Sequence, residues 1–384
     1  MRPLLQAEQA VLGAVLLDPG QLDKLAWLEP EHFYRPAHQA LFAALRDLRQ
    51  AGQPVLTADG TVPLAWVSDA VAEAGKHTRG LTSVYAHTLV SACPRPEHAP
   101  VYGRMVLEGA IHRTVTEHAV RLHQTARADA VRGEVEGTLH DADVLADVLE
   151  DLARRWGTEP RPASPAPPIL PATPAPAEAQ TVADNERLLL AALTQRPFGM
   201  DEVVGWLRPG DFADPAHGQL YRCLGALHHR GEPIDQITLL WEAQRRGLLA
   251  DGTVTAEEIT AICDGVGPGS AQWLGEEVAR SALLRTAAAT AHTIRDLAAT
   301  DALAPGRLIN QALAALDALA DIQQRWTTAT RTVTPPVRGE PAAGPPPAQV
   351  RAARARSTPP APAASTASTP SAVPPVRPPS RSHT

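Results

Sequence analysis

A chain of 384 residues with a net charge of −7 has room for two domains of ordinary size, each with a core of its own. Three cysteines, Cys93, Cys223 and Cys263, stand without paired spacing, which excludes a disulfide framework and a cysteine-type zinc site. From Arg331 onward seven arginines face one acid, Glu340, so that end carries about +6 and the remainder about −13; the acidic body is a poor face for a duplex, and only the tail has the charge to meet phosphate.

In chain order, MRPLLQAEQAVLGAVLLDPG holds an apolar run that Gln6, Glu8 and Gln9 interrupt and Asp18 closes, before a signal-peptide core and cleavage site can form. No segment reaches the length of a membrane span, so the expectation is a soluble, cytoplasmic protein. Val11, Leu12, Val15 and Leu16 form the stripe of a first helix. A short second helix ends at Trp27, and Pro36 opens a third, at the position that tolerates a missing N–H. Ala37, Leu41, Ala44, Leu45 and Leu48 line that helix, and Gly52 stops it. Two long helical patterns follow over 98–128 and 134–156, broken at Gly133, and should fold back as a hairpin. Residues 157–183 hold eight prolines within 160–176, an extended spacer.

The same grammar then repeats. Leu188, Leu189, Ala192 and Leu193 form the first stripe, Trp206 ends the short helix, Pro215 opens the third with Leu220, Leu224 and Leu227, and Gly231 stops it. WLEPEHFYRPAH (27–38) and WLRPGDFADPAH (206–217) are identical at seven of twelve positions, including Trp27/Trp206, Phe33/Phe212, Pro36/Pro215 and His38/His217. Identity in rare residue types marks a duplication. Copy two adds a helix over 235–249, closed by Gly247. Copy one is expected to lack it and to run from Val55 into ADGT (58–61), which pairs in sequence with ADGT (250–253). A second hairpin follows over 271–299 and 305–326. The reading is an all-α chain of two helical bundles, each followed by a helical hairpin: copy one 1–156, linker 157–183, copy two 184–326, and a disordered, basic, Pro-rich tail 327–384.

The Glu8-Gln9-Ala10-Val11-Leu12-Gly13 opening, Leu17-Asp18-Pro19, and Phe33-Tyr34-Arg35-Pro36-Ala37-His38 resemble the N-terminal domain of DnaB-type replicative helicases. Asn185-Glu186-Arg187, Pro233-Ile234-Asp235 and Arg245-Arg246-Gly247 of copy two resemble it also. The resemblance covers about 5–128 and 184–300. It implies bundles with hairpins that pair, the collar unit of a hexamer, and a docking surface for helicase, primase or loader proteins. The family's motor is a separate domain with a phosphate-binding loop. Here Gly75-Lys76 is the one Gly-Lys pair, and it is followed by His77, with Ala70 at the first glycine position. That fails the G-x-x-x-x-G-K-[ST] requirement, so the expectation is no ATPase, no cofactor and no catalytic residues.

Other constellations read as structural. His118 and His123 are five apart, off the one-turn spacing for a shared metal. His228-His229 suits a helix C-terminus, and the acids from Asp141 to Asp151 form a solvated face. His38 and His217 share a packing role against the Phe33 and Phe212 loops. Self-association is expected through the hairpins, with Val101, Met105 and Ile111 meeting Val278, Leu283 and Ile294. In the tail, Arg351, Arg354 and Arg356 offer a weak, salt-sensitive DNA contact without aromatic residues to stack on bases. The leading expectation is a non-catalytic replication-associated interaction protein. The alternatives are a nucleic-acid-binding accessory acting through the tail and a degenerate helicase fragment.

Overall fold

The chain is described by a computed structural model covering residues 3–54, 62–78, 81–158, 173–174, 176–265 and 269–331. Copy one contains α1 (Pro3–Leu17), α2 (Gln21–Lys24), a 3-10 turn at Pro30–His32, α3 (Pro36–Gln50), α4 (Leu64–Gly75), α5 (Ser83–Ala92), a second 3-10 turn at Pro96–His98, and the hairpin α6 (Ala99–Arg132) and α7 (Glu136–Trp156). Copy two contains α8 (Pro176–Gln195), α9 (Gly199–Val203), a 3-10 turn at Pro209–Asp211, α10 (Pro215–Arg230), α11 (Gln236–Arg245), α12 (Ala256–Asp264), and the hairpin α13 (Ala271–Ala298) and α14 (Pro305–Arg331). No strand occurs among the described residues, so the all-α reading holds.

The stops and starts are where local chemistry puts them. Pro36 and Pro215 are the first residues of α3 and α10. Gly133, Gly231 and Gly247 take φ of 75°, 67° and 80°, the left-handed turn in which a Cβ is strained. Thr82 and Thr255 cap α5 and α12 by accepting the N–H of Tyr85 and Glu258.

Three boundaries differ from the sequence reading. Copy one does have the extra helix: α4 packs on α3 as α11 packs on α10. The alignment had placed ADGT with ADGT, but in copy two that tetrapeptide follows the helix, whereas in copy one it precedes α4. Residues 58–61 themselves lie outside the described residues. α8 starts at Pro176, within the stretch assigned to the linker, because proline is tolerated in a first turn and Ala177–Asp184 is helix-forming. α14 continues through Thr327–Arg331, where Ala329 is buried against copy two. The remaining linker, 159–172 and Ala175, and the tail from 332 lie outside the described residues.

The two hairpins pack together within the chain. α6 lies along α13 and α7 along α14, making a four-helix bundle. Its core runs through Ile111, Val115 and Leu122 of α6, Leu145 and Leu149 of α7, Leu283 and Ile294 of α13, and Ile309 and Leu319 of α14. That core is continuous with the head of copy one, including Leu12, Phe33 and Trp66. Each fully buried Leu or Ile contributes about 1.5–3 kcal/mol. The head of copy two has a separate core around Leu193, Trp206, Phe212 and Leu224, and Trp326 touches both cores.

Candidate functional site

In each copy a buried polar cluster at the loop carrying the duplicated Phe ties the head to its hairpin, beside the packing of α1 on α6 and of α8 on α13. In copy one, Glu8 of α1 is fully buried. It accepts the N–H of Tyr34 and meets Nδ1 of His38 at 2.7 Å. Nε2 of His38 meets the Tyr85 hydroxyl of α5 at 2.7 Å, so one imidazole ties α3 to α1 and α5. Arg113 of α6 then donates through Nη2 to the carbonyl oxygen of His32 at 2.9 Å, and its guanidinium lies over the Tyr34 ring. Copy two repeats the arrangement. Glu186 accepts from the N–H groups of Ala213 and Asp214 and meets Nδ1 of His217 at 2.9 Å. Arg285 of α13 donates to the carbonyl oxygen of Asp211 at 2.6 Å. Burial pulls both arginines below their ordinary pKa, with Glu8 and Glu186 opposing it, the signature of desolvation against a buried counter-charge. A buried carboxylate is tolerable only when satisfied in this way.

The aromatic residues follow the same symmetry. Phe33 packs tilted against Phe42 with ring centroids 4.9 Å apart, and Phe212 against Tyr221 in the same way at 5.1 Å. Trp27 and Trp206 pack against glycines of the long helices: a Cβ on Gly103 would lie 3.2 Å from Trp27, and one on Gly275 would lie 2.7 Å from Trp206. Trp27 stays 41% exposed, whereas Trp206 is 5% exposed. The end of α14 folds over copy two, where Arg325 donates to the carbonyl oxygen of Trp206 at 3.1 Å.

These clamps use residues that sequence reasoning passed over. Arg113 and Arg285 sit in AIHRT (110–114) and ALLRT (282–286), and Arg325 in DIQQRW (321–326), whose match in copy one, DLARRW (151–156), brings the charge of Arg155 near His32. The repeated A-x-x-R-T and D-x-x-x-R-W strings were the available signal.

The six hairpin residues singled out from periodicity fall into three groups. Ile111, Leu283 and Ile294 are buried in the paired-hairpin core. Val278 is buried in the core of copy two's own head. Val101 and Met105 are 55% and 47% exposed and do not belong to the interface. They stand four apart on the α6 face away from Gly103, while Val106 takes the inward position. Polar contacts close the pairing: the His112 ring nitrogens meet the carbonyl oxygens of Ala298 and Leu303 at 2.8 and 3.1 Å, so α6 caps the end of α13.

Copy two also presents an apolar face to solvent. Ile237 and Trp241, one turn apart on α11, are 79% and 61% exposed. Glu242, the next residue of α11, is buried. Burial would raise its pKa, but hydrogen bonds from Arg246 and Arg230, each at 2.8 Å, hold it below the usual range. Arg351, Arg354 and Arg356 lie outside the described residues. Gly75-Lys76 closes α4, with Lys76 paired to Glu73 at 2.6 Å, a helix end rather than a strand-to-helix phosphate loop. No described helix is long and apolar enough to cross a membrane.

The family model described as DnaB-like helicase N terminal domain matches residues 2–108 and 178–268, together more than half the chain. The replicative DNA helicase DnaB of Mycobacterium leprae (strain TN) is 34% identical over 154 residues, 38% of this chain and 23% of its own. The DnaB of Geobacillus stearothermophilus is 36% identical over 142 residues, 36% of this chain and 29% of its own. That of Leifsonia xyli subsp. xyli (strain CTCB07) is 27% identical over 227 residues, covering 56% and 44%. The chain therefore spans less than half the length of these relatives. No solved structure matches.

Proposed function

The chain belongs to the DnaB-like helicase N-terminal domain family, matched twice in tandem, and from that premise we propose that it is a non-catalytic, replication-associated interaction protein. It docks a replicative helicase, a primase or a loader through its two heads. The observation that carries this reading is the pairing of the two hairpins inside one chain. Tethering gives the second copy a high effective concentration, so one polypeptide supplies a paired unit without a second subunit. The hairpin faces are thereby occupied, leaving the heads and the Ile237–Trp241 face of α11 as surfaces for partners. Both family matches are to the N-terminal domain, and the nearest sequence to a phosphate loop is the end of α4.

The test is a pull-down from purified components, with the full chain and a 332–384 deletion each offered helicase, primase and loader. Capture of one of them by both forms supports docking through the heads. Capture of none overturns it. A second reading, nucleic-acid binding through the tail, draws on the seven arginines from Arg331 onward. It requires a DNA contact that weakens steeply with salt and is lost on the same deletion.

A further inference from the structure

The duplication supplies an internal control for a cavity that only one copy possesses. A cavity of about 600 Å³ opens between the C-terminal half of α6, the first turns of α8, and α13. That volume is within the range of small-molecule sites, ~300–1,000 Å³. Gly103 matches Gly275 and Arg113 matches Arg285, which fixes the correspondence along α6 and α13. The symmetry-related place, beside His112, Arg113, Thr116 and Ala298, is a shallower depression of about 260 Å³. There Leu4 lies over Gly109 and His112 reaches across to the end of α13. In copy two the same positions carry Val182, Ser281 and Leu284, and the space stays open.

The charge on the walls is also particular to this side. Arg127, Arg280 and Arg285 line the cavity with His123, against Glu178 and Glu277. Three arginines against two glutamates leave the lining net positive, with Glu277 paired to Arg280. Arg285 has its match in Arg113, but the positions matching Arg280 and Arg127 are Glu108 and Ala299, so those two charges are not inherited from the repeat. Arg285 is 8% exposed. Its Nη2 donates to Asp211, but its buried Nε has no hydrogen-bond partner among the described residues. That nitrogen is sealed from solvent, so Arg285 lends charge to the wall and the arms open to a ligand are those of Arg127 and Arg280. Val182, Val278 and Leu284 supply an apolar floor.

We propose that the cleft between α6, α8 and α13 binds a small amphiphilic anion, its phosphate or carboxylate head on Arg127 and Arg280 and its apolar body against Val182, Val278 and Leu284. Arginine forks suit such planar or tetrahedral oxyanions. Because α6 comes from copy one and α8 and α13 from copy two, the ligand would also cross-brace the two copies and raise the melting temperature.

The test is calorimetric titration of the full chain with octyl phosphate, octanoate and, as the uncharged control, octanol. The expected result is one saturable site per chain for at least one anion, with octanol weaker by about tenfold or more. The relative strength of the two anions then says which head the site takes. Combining Arg127→Ala with Arg280→Gln should weaken the anion about tenfold, and Ser281→Leu should block it by filling the space. If the double variant fails to fold, Arg127→Ala alone, on an exposed position, should still weaken binding by about threefold. Absence of saturable binding by either anion, equal binding of octanol, or unchanged affinity in the arginine variants overturns the proposal. All three substitutions lie away from the Ile237–Trp241 face, so partner capture should survive them, and the two readings can fail separately.

Discussion

Arg325 holds Asp211 with both arms of its guanidinium, at 2.6 and 3.0 Å, while the matching arginine of copy one, Arg155, has His32 in the corresponding place. The two acceptors do one job in common. His32 Nδ1 accepts the N–H of Glu29 at 2.9 Å, and Asp211 accepts the N–H of Arg208 at 2.7 Å, each capping its 3-10 turn. Only the aspartate can also pair with an arginine. Asp211→Asn should therefore destabilise the protein by about 1.5–3 kcal/mol, since it removes a charged two-armed contact and leaves Arg325 only Asp321, at 3.1 Å, as its acidic partner. His32→Asp should stabilise it by roughly 0.5–1 kcal/mol, because Arg155 is half exposed and solvent screens the new pair. Denaturant midpoints of the two variants check both signs. A destabilised His32→Asp would mean that Arg155 does not reach the turn.

Acid should weaken copy one through the same residue. Burial and then the nearby Arg155 lower the pKa of His32 below 6.5, and burial with Arg121 lowers that of His118. Both bind protons less tightly folded than unfolded, so their contribution is complete above 6.5 and is lost as pH falls from there through the lowered folded values. The melting temperature should accordingly drop between pH 7.5 and 5. His32→Asn keeps an acceptor for the Glu29 N–H but cannot titrate, and should show a smaller drop. An identical drop would assign the acid sensitivity elsewhere.

The motif residues Phe33 and Phe212 are both buried, and truncating either to Ala should cost ~3–5 kcal/mol. The consequences should differ in extent. Phe33 belongs to the core that includes the paired hairpins, whereas Phe212 belongs to a second core, built by copy two's head with the first turns of α13 and the end of α14. Hydrogen exchange in Phe33→Ala should rise in α6, α7, α13 and α14 as well as in its own head. In Phe212→Ala it should rise mainly from α8 to α12. Exchange confined to one head in both variants would show two independent cores.

What sequence could reveal was governed by the offset between the copies. The loop motif matches at a constant spacing, so Trp27, Phe33, Pro36 and His38 found Trp206, Phe212, Pro215 and His217 directly, and the helical class followed from periodicity. Past the heads the spacing changes, because the connections on either side of α4 and α11 differ in length. The pairs Gly103/Gly275, Arg113/Arg285 and Arg155/Arg325 therefore fall out of register with the motif. The same shift hid α4, since ADGT aligned with ADGT across it. Periodicity along α6 could not separate inward Val106 from outward Val101 and Met105, because a helix carrying one head and one partner helix has two apolar faces to read.

Mg-ATP should leave the melting temperature unchanged. Its phosphates would need the amides of a glycine-rich loop, and Gly75-Lys76 closes a helix with its lysine paired to Glu73. A ligand at ~100 times its dissociation constant would stabilise the protein by ~2.7 kcal/mol, an easily seen shift. Seeing that shift would place a nucleotide site on this chain; a shift lost in Arg127→Ala with Arg280→Gln would assign it to the cleft between α6, α8 and α13, and one that survives those substitutions would contradict the non-catalytic reading.

The hairpin pairing makes the most demanding prediction. α6 packs along α13, and Ile111, Val115 and Leu122 of the first and Leu283, Ala287 and Ile294 of the second are buried in one shared core. Leaving these faces in water would cost several times the ~1.5–3 kcal/mol of a single large side chain, so neither hairpin should remain unpartnered. Fragments 1–158 and 176–331, expressed separately, should bind one another at micromolar concentration or below. Leu283→Asp should abolish that binding, because an unpaired carboxylate would be buried between helices. In the full chain the same substitution should lower stability by more than about 4 kcal/mol, while Val101→Asp, on the exposed face of α6, should change it by less than about 0.5 kcal/mol. Sedimentation of the mixed fragments as two independent monomers at high concentration would remove the paired unit, and the docking reading built on it.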